Sequence, residues 1–574
     1  MKYILKYMKP FTRDCVMAPF MKALEVVFEL CVPLIVADII DVGVAGGDSG
    51  YIWGRTGVLL LLGVLGLITA VVAQYFSARA ACGFARDVKS ALFSHVGSLS
   101  YADLDRLGTS RMITSLTSDI NQVQTGVNLT LRLFLRSPLV VFGAMVMALT
   151  IDVKAAVPFV IVIPVLSVVV FGIMLVSIPL YKRVQGALDR VLGRTRENLN
   201  GVRVIRAFCS EEGEVAQFKA DNAILTRAQK FVGRISALLN PVTYAIINLA
   251  IVLLVWKSAF RVDAGDLSQG QVVALWNYMS QILIELIKLA NLIITIIKAV
   301  ACGNRIGAVL QTESSQTYPA EAPTENEQAP AIEFKNVSLV YHENGENALD
   351  GISFSVKRGE TVGIIGGTGA GKSSLVHMIP RFYDASEGEV LVNGCNVRAY
   401  PKDVLLNKIG IVHQKPMLFR GSIRDNVKWG KEDATDEECL CAIRRAQAED
   451  VVKDKGGLDA EVEQSGRNLS GGQKQRLTIA RALVRDPEIL ILDDAASALD
   501  FATDAALRRV LAELPGTVVI VSQRISSIRH ADKILVLDDG ALVGVGTHEE
   551  LLSSCPVYGE IYESQHKREE ADEG

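Results

Sequence analysis

The run GIIGGTGAGKSS at 363–374 contains the pattern G-x-x-x-x-G-K-S, from Gly366 to Ser373. That spacing suits phosphate chemistry. Gly366, Gly367, Gly369 and Gly371, interleaved with Thr368 and Ala370, let backbone N–H groups converge on an anion at a helix start. Lys372 is placed to reach the outer phosphates, and the hydroxyl of Ser373, followed by Ser374, to bind magnesium. A second chemical run, ILILDD at 489–494, ends in carboxylates. Asp493 is placed to hold the same metal ion through its hydration shell. A phosphate loop and an acid-ended strand define a P-loop nucleoside triphosphatase and nothing narrower. The segment NLSGGQKQR at 468–476 adds a second anion-facing helix start, where Ser470, Gly471 and Gly472 offer a hydroxyl and free amides.

These residues need elements to hold them. Val362–Ile365 reads as the strand before the phosphate loop and Leu375–Ile379 as the helix after it. From Ala331 onward, short β-type runs alternate with helical stretches, the texture of an α/β domain. The preceding half reads differently. Half of all residues are hydrophobic, and the mean hydropathy of +0.29 is high for a soluble enzyme. Six spans are expected near 14–41, 55–80, 130–151, 155–180, 237–260 and 270–301. Lys2, Lys6, Lys9 and Arg13 form one stripe of a helix ahead of the first span, a pattern suited to the membrane interface. The connections at 81–129 and 181–236 carry many cations, including Arg86, Lys89, Arg106, Arg111, Lys182, Arg183, Arg190, Arg194, Arg203 and Arg206. The positive-inside rule places those connections and both termini in the cytosol. The net charge of −4 does not suggest a nucleic-acid partner. The nine cysteines lack disulfide or metal spacing. The start of the chain reads as neither a signal nor a transit peptide.

With these motifs in one chain, the sequence resembles ATP-binding cassette (ABC) transporters, specifically exporter-type half-transporters, over essentially its full length. The resemblance implies a type IV exporter fold, an α-helical membrane domain of six transmembrane helices fused to an α/β P-loop nucleotide-binding domain. The expected division is an interfacial helix at 1–13, a membrane domain with docking loops at 14–310, a polar linker at 311–330, a cassette at 331–562 and a charged tail at 563–574. The resemblance also implies ATP and Mg²⁺ as ligands and two cassettes meeting head to tail, each signature (here Ser470, Gly471, Gly472 and Gln473) closing on the partner's nucleotide. It implies adenine stacking for Tyr341, magnesium sensing and membrane-domain contact for Gln414 in IVHQKPMLF, and a cassette–cassette contact for Asp500 in SALD. YADLDRLGTSRMITSLTSDI (101–120) and ENLNGVRVIRAFCSEE (197–212) resemble the two docking loops.

Three positions depart from the family pattern. Asp494 stands where the family's catalytic site carries Glu, shorter by one methylene, or about 1.5 Å of reach. Gln523 stands where its switch residue is His, and Gln can donate a hydrogen bond but cannot carry a proton. Gln464, a weaker departure, replaces a frequent Glu. Lys372, Asp494 and Gln523 are thus the expected catalytic set, with Ser373, Gln414 and Asp493 around the metal. An inefficient own site beside an intact signature resembles the degenerate-site subunit of bacterial heterodimeric multidrug-type exporters. That implies a non-identical second half-transporter, the cytoplasmic membrane, and amphipathic or drug-like cargo. A homodimeric exporter or lipid flippase with slow turnover, an importer of the same architecture and a regulatory subunit are the alternatives. Lys22, Glu25 and Glu29 share one face of the first span, and Glu285 and Lys288 sit a turn apart in the last. Either Glu25 and Glu29 line a cytosol-facing cavity that favours cationic or amphipathic cargo, or Lys22 and Glu25 pair locally near the interface and shape packing only.

Overall fold

Long apolar stretches with few breakers dictate long helices in the first half of the chain. The computed structural model describes Met1, residues 3–341 and 345–572, with side chains as far as Gln565; Lys2, the first member of the cationic stripe, lies outside the described residues. The helices are α1 (Thr12–Asp38), α2 (Ser49–Ser98), α3 (Tyr101–Leu107), α4 (Thr109–Thr114), α5 (Ile120–Leu133), α6 (Arg136–Ile151), α7 (Val157–Asn200), α8 (Val202–Ala207), α9 (Glu211–Ala237), α10 (Leu239–Asp263) and α11 (Gln269–Leu310). At 50 residues, α2 is about 75 Å long, more than twice the ~30 Å of a hydrocarbon core. Among the described residues, four segments, Ser49–Ser98, Thr109–Ile151, Val157–Asn200 and Glu211–Asp263, are long and apolar enough to cross a membrane. The expected first and last spans form α1 and α11, which carry the intramembrane charges and complete the six.

The third expected span is not one helix. Phe134 and Leu135 form a turn between α5 and α6, because Pro138 has no N–H to offer the Phe134 carbonyl. Helix α5 lies so close to α11 that a Cβ at Gly126 would sit 2.2 Å from the Ala299 Cβ; small residues permit this approach. Before α1, a 3-10 helix at Ile4–Phe11 buries Ile4 and leaves Lys6 and Lys9 exposed, as is Arg13 just after it.

The chain divides into two compact units, Met1–Gly97 with Gly108–Thr312, and Ser98–Leu107 with Glu313–Gly574. Strands of the second are β1 (Ile332–Leu339), β2 (Leu349–Val356), β3 (Thr361–Gly366), β4 (Glu387–Val392), β5 (Cys395–Asn396), β6 (Ile409–Val412), β7 (Gly421–Ser422), β8 (Glu461–Val462), β9 (Ile489–Asp493), β10 (Thr517–Val521), β11 (Lys533–Asp538) and β12 (Ala541–Gly546). A six-stranded sheet runs β12-β11-β3-β10-β9-β6, parallel except for the β12 edge. A four-stranded antiparallel sheet runs β2-β1-β4-β5. Every residue of β9 and β10 is buried, as central parallel strands covered on both faces must be.

The polar segment 311–330 has no regular secondary structure, but it is not loose. Asp103 of α3 accepts hydrogen bonds from the Ser315 amide at 2.9 Å and the Ser100 hydroxyl at 2.6 Å. Gln316 Nε2 donates to the Arg381 carbonyl, and Arg381 Nη1 donates to that of Thr317. Glu325 receives Asn393 Nδ2, the Tyr400 hydroxyl and an ion pair from Lys408. Composition gave no sign of these long-range ties. The charged tail likewise begins in order: helix Pro556–Asp572 carries it, and Gln565 receives the Ile525 amide while donating to the Gln523 carbonyl.

Candidate nucleotide site

The site lies at the carboxyl ends of β3, β9 and β10, where parallel α/β sheets place their ligands. Its cavity, of about 330 Å³, is bounded by the loop Thr368–Ser374 and by Tyr341, Gln414, Asp493, Asp494 and Gln523. Gly371 just precedes helix α12 (Lys372–Met378) with φ of +89°, and a Cβ there would meet the Ala348 carbonyl oxygen at 2.6 Å. Glycine is thus dictated twice, by backbone conformation and by space. Lys372 Nζ donates to the carbonyls of Gly366 and Gly367 at 2.9 and 2.6 Å. Burial pushes its ammonium below the usual lysine range, against the pull of Asp494 and Asp493. Such a partly desolvated ammonium gains most from an incoming polyphosphate.

Ser373 Oγ donates to Asp493 Oδ1 at 3.0 Å. Burial raises the Asp493 carboxyl although that hydrogen bond opposes it. Gln414 Nε2 donates to Asp494 Oδ2 at 3.3 Å, a long bond. Asp494 is 8 % exposed and sits at φ +49° just past β9, so its side chain is turned by a left-handed backbone step. Burial lifts its carboxyl too, with Gln414 acting the other way and Asp493 adding to the rise. Tyr341 is exposed over the cavity and its hydroxyl donates to Ser374 Oγ at 2.8 Å. Gly366 and Gly367 meet the cavity through the Lys372 contacts rather than by lining it.

Other expected residues lie apart from this cavity. Ser470 caps helix Gly471–Leu483, where its hydroxyl accepts from the Gln473 amide and its own amide donates to Gln473 Oε1. Ser470 and Gly471 are exposed, with Gly472 half-buried beside them. Asp500 caps helix Phe501–Ala512 through the amide and hydroxyl of Thr503.

Sequence reasoning missed two histidines beside the carboxylates. His377, one helical turn after Ser373, places Nε2 at 3.6 Å from Asp493 Oδ2. Burial and the nearby His413 push its imidazole down to about 4. Its ring packs with Phe382, which stacks on Tyr101 of α3 at 4.3 Å. Tyr383 meets the Tyr341 ring edge-on at 5.0 Å and donates its hydroxyl to Asp105 of α3. Two routes therefore join this region to α3, one through stacked rings to Tyr101 and one through Tyr383 and its hydrogen bond to Asp105. The position of His377 one turn beyond the Lys-Ser pair was the available signal.

Residues 15–286 match the ABC transporter transmembrane region, and 349–497 match the family described as ABC transporter. An uncharacterised ABC transporter ATP-binding protein of Bacillus subtilis (strain 168), YfiB, is 36% identical over 570 residues, covering 99% of both chains. The chain belongs to the ABC transporter family. YgaD of the same organism, described as a putative multidrug export ATP-binding/permease protein, is 30% identical over 99% of this transporter and 98% of its own length. A bacterial Atm1-family ABC exporter, solved with ATP bound, matches with a TM-score of 0.81 at 25% identity, over 96% of this transporter and 99% of that chain. The transporter thus has the exporter fold, a helical membrane domain fused to a nucleotide-binding domain, and couples ATP hydrolysis to transport across a membrane.

Proposed function

We propose that the transporter is one subunit of a heterodimeric exporter whose own ATP site is hydrolytically weak and whose intact signature completes the site of a non-identical partner. The observation that carries this reading is Asp494. The attacking-water position falls to a carboxylate one methylene short of the family's Glu, turned by its backbone and engaged by Gln414 Nε2 at 3.3 Å. Gln523, at the cavity wall, cannot move a proton. By contrast Ser470 and its capped helix keep the full signature on an outward face.

Lys372 and the loop amides bind the phosphates, and Tyr341 stacks on the base. Ser373, Asp493 and Gln414 bring hydroxyl, carboxylate and amide oxygens to one wall, a hard donor set suited to Mg²⁺. These three would hold the ion, which when bound supplies charge neutralisation at the phosphate oxygens. ATP held between two cassettes draws them together, α3 carries that closure to the membrane helices, and hydrolysis at the partner's site resets it. The membrane is the bacterial cytoplasmic membrane, with both termini in the cytosol. The cargo is amphipathic or drug-like, in keeping with the description of YgaD.

The test is Mg²⁺-dependent ATP hydrolysis by this chain alone in lipid nanodiscs, beside Lys372→Ala. ATP binding without appreciable turnover in the parent, and neither in Lys372→Ala, is the expected result. Brisk turnover abolished by Lys372→Ala makes the chain a working homodimer and overturns the heterodimer reading.

A further inference from the structure

Three helices of the first unit meet at an ion cluster that the nucleotide chemistry does not use. Arg136, the first residue of α6, donates Nη1 to Glu285 Oε1 of α11 at 2.8 Å and Nη2 to Glu29 Oε2 of α1 at 2.7 Å. Its Nε lies 3.8 Å from Glu25 Oε1. Lys22 pairs with Glu25 at 2.5 Å, Lys288 pairs with Glu285 at 2.8 Å, and Ser137 Oγ donates to Glu285 Oε2. The cluster thus balances three cations against three anions. Charges at membrane depth are costly even when paired, and apolar residues of similar volume would serve packing as well.

The six groups are not equally enclosed. Glu285 is buried, whereas the Glu29 side chain is 36 % exposed and, among the described residues, its only ion pair is to Arg136. Glu25, Glu29 and Arg136 form the polar end of a cavity of about 500 Å³ between α1 and α2, whose walls include Phe28, Val32, Leu59, Leu62 and Leu67. That volume lies in the ~300–1,000 Å³ range of small-molecule sites. The sign of its ligand follows from the wall. Two carboxylates face one guanidinium, and both Nη groups of that guanidinium are already engaged by Glu29 and Glu285. An anion would meet a net negative surface, the unpaired Arg136 Nε being buried beside Glu25; a cation would find the second oxygen of Glu29.

Resting on the exporter reading above, we infer that this cavity is a subsite for amphipathic organic monocations, with Glu29 as the charge-recognising residue and the α1–α2 walls taking the apolar body. The probes are tetraphenylphosphonium and tetraphenylborate, near-identical in shape and opposite in sign. Radiolabelled tetraphenylphosphonium is offered to the full chain in nanodiscs, with empty nanodiscs as the blank. Saturable capture, displaced by unlabelled phosphonium and not by borate, is expected. Glu29→Gln should weaken capture about tenfold, and Glu29→Asp should keep most of it. Leu62→Trp, which fills the cavity without touching a charge, should also abolish capture and serves if Glu29→Gln does not assemble. Displacement by borate as readily as by phosphonium, or unaltered capture by Glu29→Gln or Leu62→Trp, overturns the site. Loss of the site in a chain that still binds ATP leaves the exporter reading standing; failure to bind ATP refutes that reading instead.

Discussion

Lengthening one side chain should speed this transporter's own ATP site. In Asp494→Glu the carboxylate gains one methylene, about 1.5 Å of reach. Asp494 lines the nucleotide cavity, where the added length is directed at the ligand's surroundings. What is given up is small: the bond from Gln414 is already long at 3.3 Å. The backbone at φ +49° is as tolerable to Glu as to most residues with a Cβ, though less than to Asp. A misplacement of about 1 Å costs on the order of 100-fold in rate, equivalent to about 2.7 kcal/mol of barrier. With part of that lost to the left-handed backbone, a gain of about 10- to 100-fold in kcat is expected, with KM for ATP little changed. The assay is phosphate release from nanodisc-embedded protein at saturating MgATP, with nucleotide affinity measured in parallel. A variant that binds ATP as tightly as the parent and hydrolyses it no faster would refute the view that reach limits this site.

Gly371→Ala should abolish binding of a fluorescent ATP analogue, because its Cβ would lie 2.6 Å from the Ala348 carbonyl oxygen on a backbone at φ +89°; near-normal binding would show that the loop can relax. Asp103→Ala removes the acceptor shared by the Ser315 amide and the Ser100 and Ser315 hydroxyls, a loss of about 1 kcal/mol or more, which thermal melts should report as a lower Tm. Burial pushes the Asp103 carboxyl up, but its hydrogen bonds prevail and hold it below the usual range, so this contribution is present above about pH 4 and fades as acid protonates the group. His548 behaves oppositely. Burial, with Arg529 and His530 nearby, lowers its imidazole, which shares a 2.7 Å hydrogen bond with Tyr558. The unfolded chain takes a proton below about pH 6.5 that the folded chain refuses, so stability falls as pH drops through that value. The Tm difference between pH 7.5 and 5.5 should therefore narrow in His548→Gln; an unchanged difference would assign the acid sensitivity elsewhere.

The nucleotide cavity was legible because its chemistry is written in contiguous runs. A phosphate loop, an acid-ended strand and a capped signature each announce themselves within ten residues, and Gly371 and Asp494 fall where local pattern places them. The spans were legible for the same local reason, except at Phe134–Leu135, where Pro138 breaks what hydropathy reads as one helix. What escaped notice is made of partners far apart in sequence. Arg136 has no periodic signature, and its role appears only when α6 brings it between Glu29 and Glu285, more than a hundred residues away on either side. The pairing of Lys22 with Glu25 was readable from their spacing, but the balance of the whole cluster was not. The linker deceived by composition: Ser315, Gln316 and Glu325 look like solvated spacer and are instead fastened to α3 and the cassette.

That fastening bears on how such transporters can be cut and recombined. A graft taken at Ala331, the start of the α/β texture, would carry the catalytic motifs and leave behind Ser315, Gln316 and Glu325 together with all of α3. The recipient would then present Arg381, Tyr383 and Phe382 to a foreign docking helix whose residues had never matched them. An exchangeable module of this chain is therefore two pieces, 98–107 and 313–574, separated by two hundred residues of another domain. Chimeras that move both pieces together should keep cassette and helix in register. Those that move the cassette alone should bind nucleotide yet transmit nothing, and a lineage exchanging cassettes by recombination would face the same constraint.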